Sequence, residues 1–156
     1  WEAIKQAERA ADAKHTGGKP ARQSVLDGVP EALPALLRAE RVQEKVAAVG
    51  FDFPEASGAW AKVEEEIGEL RALDAKDPGA LEDEFGDVLF ALVNYGRFIG
   101  VAPENALRAT VRKFSRRFRH IEARLLEVGQ TLQDASLEEM DRHWEEAKAL
   151  EAQRGQ

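Results

Sequence analysis

Glu84-Phe85-Gly86-Asp87-Val88-Leu89-Phe90-Ala91-Leu92-Val93-Asn94 decides how this chain is to be read. Laid on a helix, the segment around it is apolar on nearly every side, from Leu81 through Phe98. A helix of that kind belongs in the middle of a bundle. Yet it carries Glu84 and Asp87 at i and i+3, so two acids project from neighbouring turns of one face. An ionised carboxylate in such surroundings is costly unless a cation balances it, and two acids side by side repel. No Lys or Arg follows in this helix until Arg97.

Working outward, the preceding helix is predicted from about Ser57 to Ala75, with Trp60, Val63, Ile67 and Leu70 recurring at helical spacing. It contributes a second acid pair, Glu66 and Glu69, beside the apolar stripe, whereas Glu64 faces solvent. Two acid pairs on adjacent helices provide four oxygen donors with no nitrogen or sulfur. That set suits a hard dication, Mg²⁺ with Mn²⁺ as a substitute. A solvated acidic face is the bland alternative for Glu64-Glu65-Glu66, but it does not account for the acids on the apolar helix. A di-iron carboxylate site needs Glu-x-x-His pairs, and neither His120 nor His143 has a Glu three residues before it. Asn94, seven residues beyond Asp87, lies on the same face and is either a ligand contact or a buried structural amide.

Flanking these, a helix is expected from about Leu33 to Val49, with Leu36, Leu37, Val42, Val46 and Val49 inward. Pro103 opens another, running to about Val128 with Leu107, Val111, Phe114, Phe118, Ile121 and Leu125 as its stripe. Ser136 and Glu139 form a capping box for a last helix with Leu137, Met140, Trp144 and Ala147. Gly50, Gly100 and Gly129 are the expected stops. The expected fold is all-α, an antiparallel bundle of about four to five helices. Residues 1–30 are read as an N-terminal helix and flexible linker, 31–150 as the catalytic domain and 151–156 as a C-terminal tail. The opening Trp1-Glu2-Ala3-Ile4-Lys5 is not a signal peptide and has no initiator methionine, which leaves room for a longer parent protein.

Composition narrows the chemistry. The 156 residues carry a formal net charge of -7, which argues against a nucleic-acid polymer or an anionic membrane meeting the protein as a whole. No apolar run is long enough to span a bilayer. The chain has no cysteine, which removes disulfides, thiol nucleophiles and thiolate-bound metals; a cytoplasmic location is expected. Against the acidic background stands a basic run, Arg112-Lys113-Phe114-Ser115-Arg116-Arg117-Phe118-Arg119. Lys113 and Arg117 share one side of the helix, and such groups hold polyphosphate. Trp144 and Lys148 repeat the i, i+4 spacing; Trp144 either stacks on a base or packs in the core. There is no glycine-rich phosphate loop.

The order of these elements resembles the MazG-type nucleoside triphosphate pyrophosphohydrolases of the all-α NTP pyrophosphatase superfamily. Glu65-Glu66-Ile67-Gly68-Glu69 matches the E-E-x-x-E motif, Glu84 to Asp87 the E-x-x-D motif, and Lys113 to Phe118 the K-F-x-R-R-F segment. Val49-Gly50-Phe51-Asp52 and Leu33-Pro34-Ala35-Leu36 are similar too. The resemblance implies Mg²⁺-dependent hydrolysis of NTPs or dNTPs to monophosphate and pyrophosphate; a house-cleaning role on noncanonical or damaged nucleotides is one alternative for its substrates. Water would attack the α-phosphorus. It implies Glu66, Glu69, Glu84 and Asp87 as metal ligands and Glu65 as a supporting catalytic acid that positions water. Lys62 and Ala80–Asp83 would lie near the nucleotide, Lys113 and Arg117 would hold phosphates, and Trp144 with Lys148 would contact substrate; Asn94 and Arg116 are read as further substrate contacts. It also implies a homodimer. In two-domain members, the opening segment follows a first such domain. The sequence departs from the family pattern at Gly68, inside the acid motif, and in a long His15–Gln23 link. The alternative is a non-catalytic helical module that binds nucleotide or a partner.

Overall fold

The computed structural model describes residues 24–73 and 77–154. The expectations for the N-terminal helix and linker before residue 24 lie outside the described residues. Five helices make up the rest: α1 (Ala35–Ala47), α2 (Ala56–Ala72), α3 (Pro78–Phe98), α4 (Pro103–Glu127) and α5 (Leu137–Arg154). No strand occurs among the described residues.

Local chemistry sets the boundaries. Asp77 caps α3, its Oδ1 accepting from the Ala80 N–H at 3.1 Å, and Pro78 occupies the first turn where no donor is needed. Ser136 Oγ accepts from the Glu139 N–H at 3.1 Å at the start of α5. Beyond α3, Gly100 has φ 68°, a left-handed conformation that costs glycine nothing. It lets the Val101 N–H turn back to the Gly96 carbonyl at 2.9 Å. Gly50 and Gly129 close α1 and α4 in the same way. Residues 151–154, expected in a tail, instead continue α5.

α2 packs along α3, α5 along α4, and α1 joins the two pairs by touching both α3 and α4. α2 and α3 run antiparallel, with Trp60 against Tyr95 (ring centroids 4.9 Å apart) and Glu66 beside Glu84 and Asp87. Their core is Ala59, Val63, Val88, Ala91 and Val93; that of α4 and α5 is Ile121, Leu125 and Ala147. The buried residue of α1 is Gln43, unexpected from the apolar spacing, and its Nε2 donates to the Phe90 carbonyl at 2.8 Å. Val49, predicted inward, is exposed. The Asp52 carboxylate accepts from Arg97 at 2.7 Å and ties the α1–α2 loop to the end of α3.

The expected enclosure of α3 and of the α4 stripe needs correction. α3 is not enclosed on all sides: Phe85, Leu89, Phe90 and Leu92 are exposed, as are Leu107, Val111 and Phe114 on α4. The reason is the turn after Gly100, where the chain swings through 106°, so α4 leaves α3 rather than folding back along it. Gly96 permits that turn, since a Cβ there would meet Pro103 Cγ at 3.0 Å and the Val101 carbonyl at 3.2 Å. At Gly68, by contrast, a Cβ would meet nothing within 4 Å, so this glycine serves no close helix approach among the described residues. No single helix among the described residues is long and apolar enough to cross a membrane.

Candidate metal centre

The acids of α2 and α3 converge because the antiparallel pair places Glu66 level with the first turns of α3. Carboxylate oxygens of Glu66, Glu84 and Asp87 all lie within 4.8 Å of one another. Glu66 is only 5% exposed, although it is a formal charge in a helix–helix seam. Its oxygen Oε1 accepts from Lys62 Nζ at 2.6 Å, while Lys62 also reaches Glu65 at 2.8 Å. Those two contacts, the Glu65 hydrogen bond first, raise the Lys62 pKa above the ordinary lysine value.

Glu84 has no such partner. Its Oε2 is buried without a hydrogen bond among the described residues. Burial, followed by the negative charges of Glu69, Glu66, Asp87 and Asp83, pushes its pKa up from the usual carboxylate range. An orphaned acceptor facing two further carboxylates is a poor arrangement for a protein by itself. It fits a small hard dication, which is held by oxygen donors alone and offsets their repulsion. The donor set present therefore suits Mg²⁺ or Mn²⁺.

The sequence-predicted residues fall into three groups. Glu66, Glu84 and Asp87 come together. Glu69 is near enough to act electrostatically on Glu84 but is not within the convergent trio. Glu65 is exposed and engaged by Lys62, Asp83 is exposed, and the Asn94 Oδ1 accepts from Arg97 Nη1.

The basic residues form a separate assembly on α4 and α5. No ion pair joins them to the acidic trio among the described residues. Arg116 and Arg117 both donate to the carboxylate of Glu151. The Arg117 guanidinium also lies over the Trp144 ring, 5.5 Å from its centroid, and Trp144 packs against Phe114 at 5.1 Å. Trp144 is half-buried and meets both Arg117 and Phe114. Lys148 pairs with Glu145 at 2.7 Å, whereas Lys113 is exposed with no ion pair among the described residues. Glu151 went unread in the sequence, being assigned to the tail; its i, i+7 relation to Trp144 was the available signal.

Residues 57–122 match the MazG nucleotide pyrophosphohydrolase domain, which covers the acid pairs and the basic run but not Trp144 or Lys148. Among curated relatives, the chain is 42% identical over 148 residues to the nucleoside triphosphate pyrophosphohydrolase/pyrophosphatase MazG of Thermotoga maritima, covering 95% of this chain and 54% of that protein. It is 41% identical over 154 residues to the nucleoside triphosphate pyrophosphohydrolase of Escherichia coli K12, covering 97% and 56%. A third relative, the uncharacterized protein YabN of Bacillus subtilis, is 46% identical over 153 residues, covering 97% of this chain and 29% of that one. The chain thus spans about half the length of the first two relatives.

Proposed function

We propose that this chain, whose residues 57–122 match the MazG nucleotide pyrophosphohydrolase domain, hydrolyses nucleoside triphosphates to the monophosphate and pyrophosphate, dependent on Mg²⁺. The observation that carries the reading is the trio Glu66, Glu84 and Asp87, with Glu84 Oε2 buried and unpaired. These three residues, with Glu69 beside them, hold the dication. Once bound, it supplies positive charge to the phosphate chain and makes water more acidic.

The remaining work belongs to the chain's own side chains. Lys62, already spanning Glu65 and Glu66, brings positive charge to the edge of the acidic trio. Glu65 accepts a hydrogen bond from water and aims it at the α-phosphorus. Attack forms the new P–O bond as the α–β anhydride breaks, pyrophosphate departs, and the proton from the attacking water is released to solvent. Lys113, Arg116 and Arg117 neutralise the leaving group. Asp83 and Asn94 contact the nucleotide from α3, and Trp144 and Lys148 contact substrate from α5.

The reading includes a homodimer. The apolar side chains left open on α3 and α4 are what a second copy would cover, since exposed apolar surface of this extent marks an interface. Light scattering on a sizing column should return twice the chain mass.

Incubation with a panel of NTPs and Mg²⁺, followed by phosphorus NMR, tests the reaction. Monophosphate and pyrophosphate are the expected first products. Orthophosphate together with a nucleoside diphosphate would show cleavage at the wrong anhydride and refute the assignment.

A further inference from the structure

α5 presents Trp144 and Glu151 two turns apart on the face it turns towards α4. Between the helices is a small cavity of about 170 Å³, lined by Arg116, Arg117, His120, Ala147, Leu150 and Glu151. The Glu151 carboxylate divides its oxygens between the two arginines. Oε2 accepts from Arg117 Nε at 2.9 Å and lies 2.9 Å from Nη2. Oε1 accepts from Arg116 Nε at 3.3 Å and Nη2 at 3.1 Å. Held by these bonds, Arg117 foremost, Glu151 has its pKa below the usual carboxylate range, so it is ionised at neutral pH. Arg117 is the more enclosed of the two arginines, its side chain 17% exposed against 59% for Arg116.

A guanidinium has five N–H donors in a rigid plane. Glu151 takes the Nε side of Arg117, and the Trp144 ring covers one face. With one edge and one face occupied, the side chain can no longer swing freely. Its Nη1 and outer Nη2 hydrogens stay in place as a two-pronged donor for oxyanions.

We propose that Glu151 is a positioning residue for Arg117: its carboxylate fixes the guanidinium across Trp144 so that the opposite edge meets the pyrophosphate part of the substrate. The proposal rests on the reading above that the basic segment of α4 binds phosphate. Glu151 itself does not touch substrate. Its effect is preorganisation, by which the ordering of a long side chain is completed before the ligand arrives.

The test is a double-mutant cycle read by calorimetric titration of inorganic pyrophosphate with Mg²⁺, alongside NTP kinetics. Glu151→Gln should weaken pyrophosphate binding by roughly tenfold, the scale of ordering one long side chain, and should lower kcat as well as raise KM, because Arg117 neutralises the departing pyrophosphate. In an Arg117→Ala background the same substitution should have a clearly smaller effect, the remainder acting through Arg116. Glu151→Asp keeps the charge but withdraws it by one methylene, and should fall between wild type and Glu151→Gln. It also answers the question if Glu151→Gln fails to fold. Tighter pyrophosphate binding in Glu151→Gln would overturn the proposal, because the carboxylate would then be a competitor. So would an undiminished effect in the Arg117→Ala background. If wild-type protein turns over no NTP yet shows this coupling towards pyrophosphate, the positioning role stands and the catalytic reading falls.

Discussion

Glu84→Gln separates the metal requirement from the fold in one measurement. In the metal-free protein the Glu84 carboxylate is partly buried, has an unpaired Oε2 and sits among Glu69, Glu66, Asp87 and Asp83. Neutralising it removes that repulsion, so the variant should melt above wild type in the presence of a chelator. With Mg²⁺ the order reverses. A dication held by Glu66, Glu84 and Asp87 at about 100 times its Kd stabilises the folded state by about 2.7 kcal/mol. For a chain of this size that corresponds to a rise in Tm of about 5–10 °C. Removing one ligand of the trio and weakening the site by about 100-fold leaves a linkage of about 0.4 kcal/mol at the same Mg²⁺ concentration, or about 1–2 °C. Circular dichroism melts with and without Mg²⁺, at matched ionic strength, read all four states. Glu64→Gln, on the exposed side of α2, is the control and should keep the full metal-dependent rise. The reasoning fails if Glu84→Gln retains the wild-type Mg²⁺ increment, or if it melts below wild type without metal.

Asp87→Asn should abolish turnover and Mg²⁺ binding while the helical spectrum persists; full activity would remove Asp87 from the ligand set. The two glycines should respond oppositely to alanine. Gly68→Ala meets open space and should stabilise by about 0.5–1 kcal/mol, whereas Gly96→Ala strikes Pro103 and the Val101 carbonyl and should destabilise by about 1–3 kcal/mol, both read from urea midpoints. Acid should loosen α5 through Glu146, whose pKa is held below the usual range chiefly by His120, its Nε2 3.2 Å from the carboxylate, then by His143 and Arg124. A lowered carboxylate contributes stability that is complete above the unfolded value, about 4.3, and is lost as pH falls through the lowered folded value. The Tm gap between wild type and Glu146→Gln should therefore narrow below that point, and a gap independent of pH would contradict the assignment.

Helix positions and the acid pairs were legible in the residues because they depend on short-range chemistry. Period-3.6 spacing of Val63, Ile67 and Leu70, the Ser136 cap and the stop at Gly100 act within one or two turns. Two acids at i and i+3 in an apolar helix require a counter-charge wherever that helix lies. The same spacing could not tell how much of α3 a neighbour covers, since Val93 and Leu92 are equally apolar yet one is buried and the other open. The 106° swing after Gly100 made that choice, through the contact of Gly96 with Pro103.

Glu69 and Glu151 show the same division. Spacing alone put Glu69 on a par with Glu66, but the packing of α2 on α3 buries Glu66 and leaves Glu69 outside the trio. Glu151 looked like the start of a polar tail and became the partner of two arginines more than thirty positions away. Residue chemistry and local periodicity by themselves determined an all-helical chain with two acid pairs and a basic helix. Which acids meet, which apolar faces stay open and which carboxylate holds Arg117 were decided only by the tertiary structure, because those are contacts between segments that the backbone turns bring together from far apart in the chain.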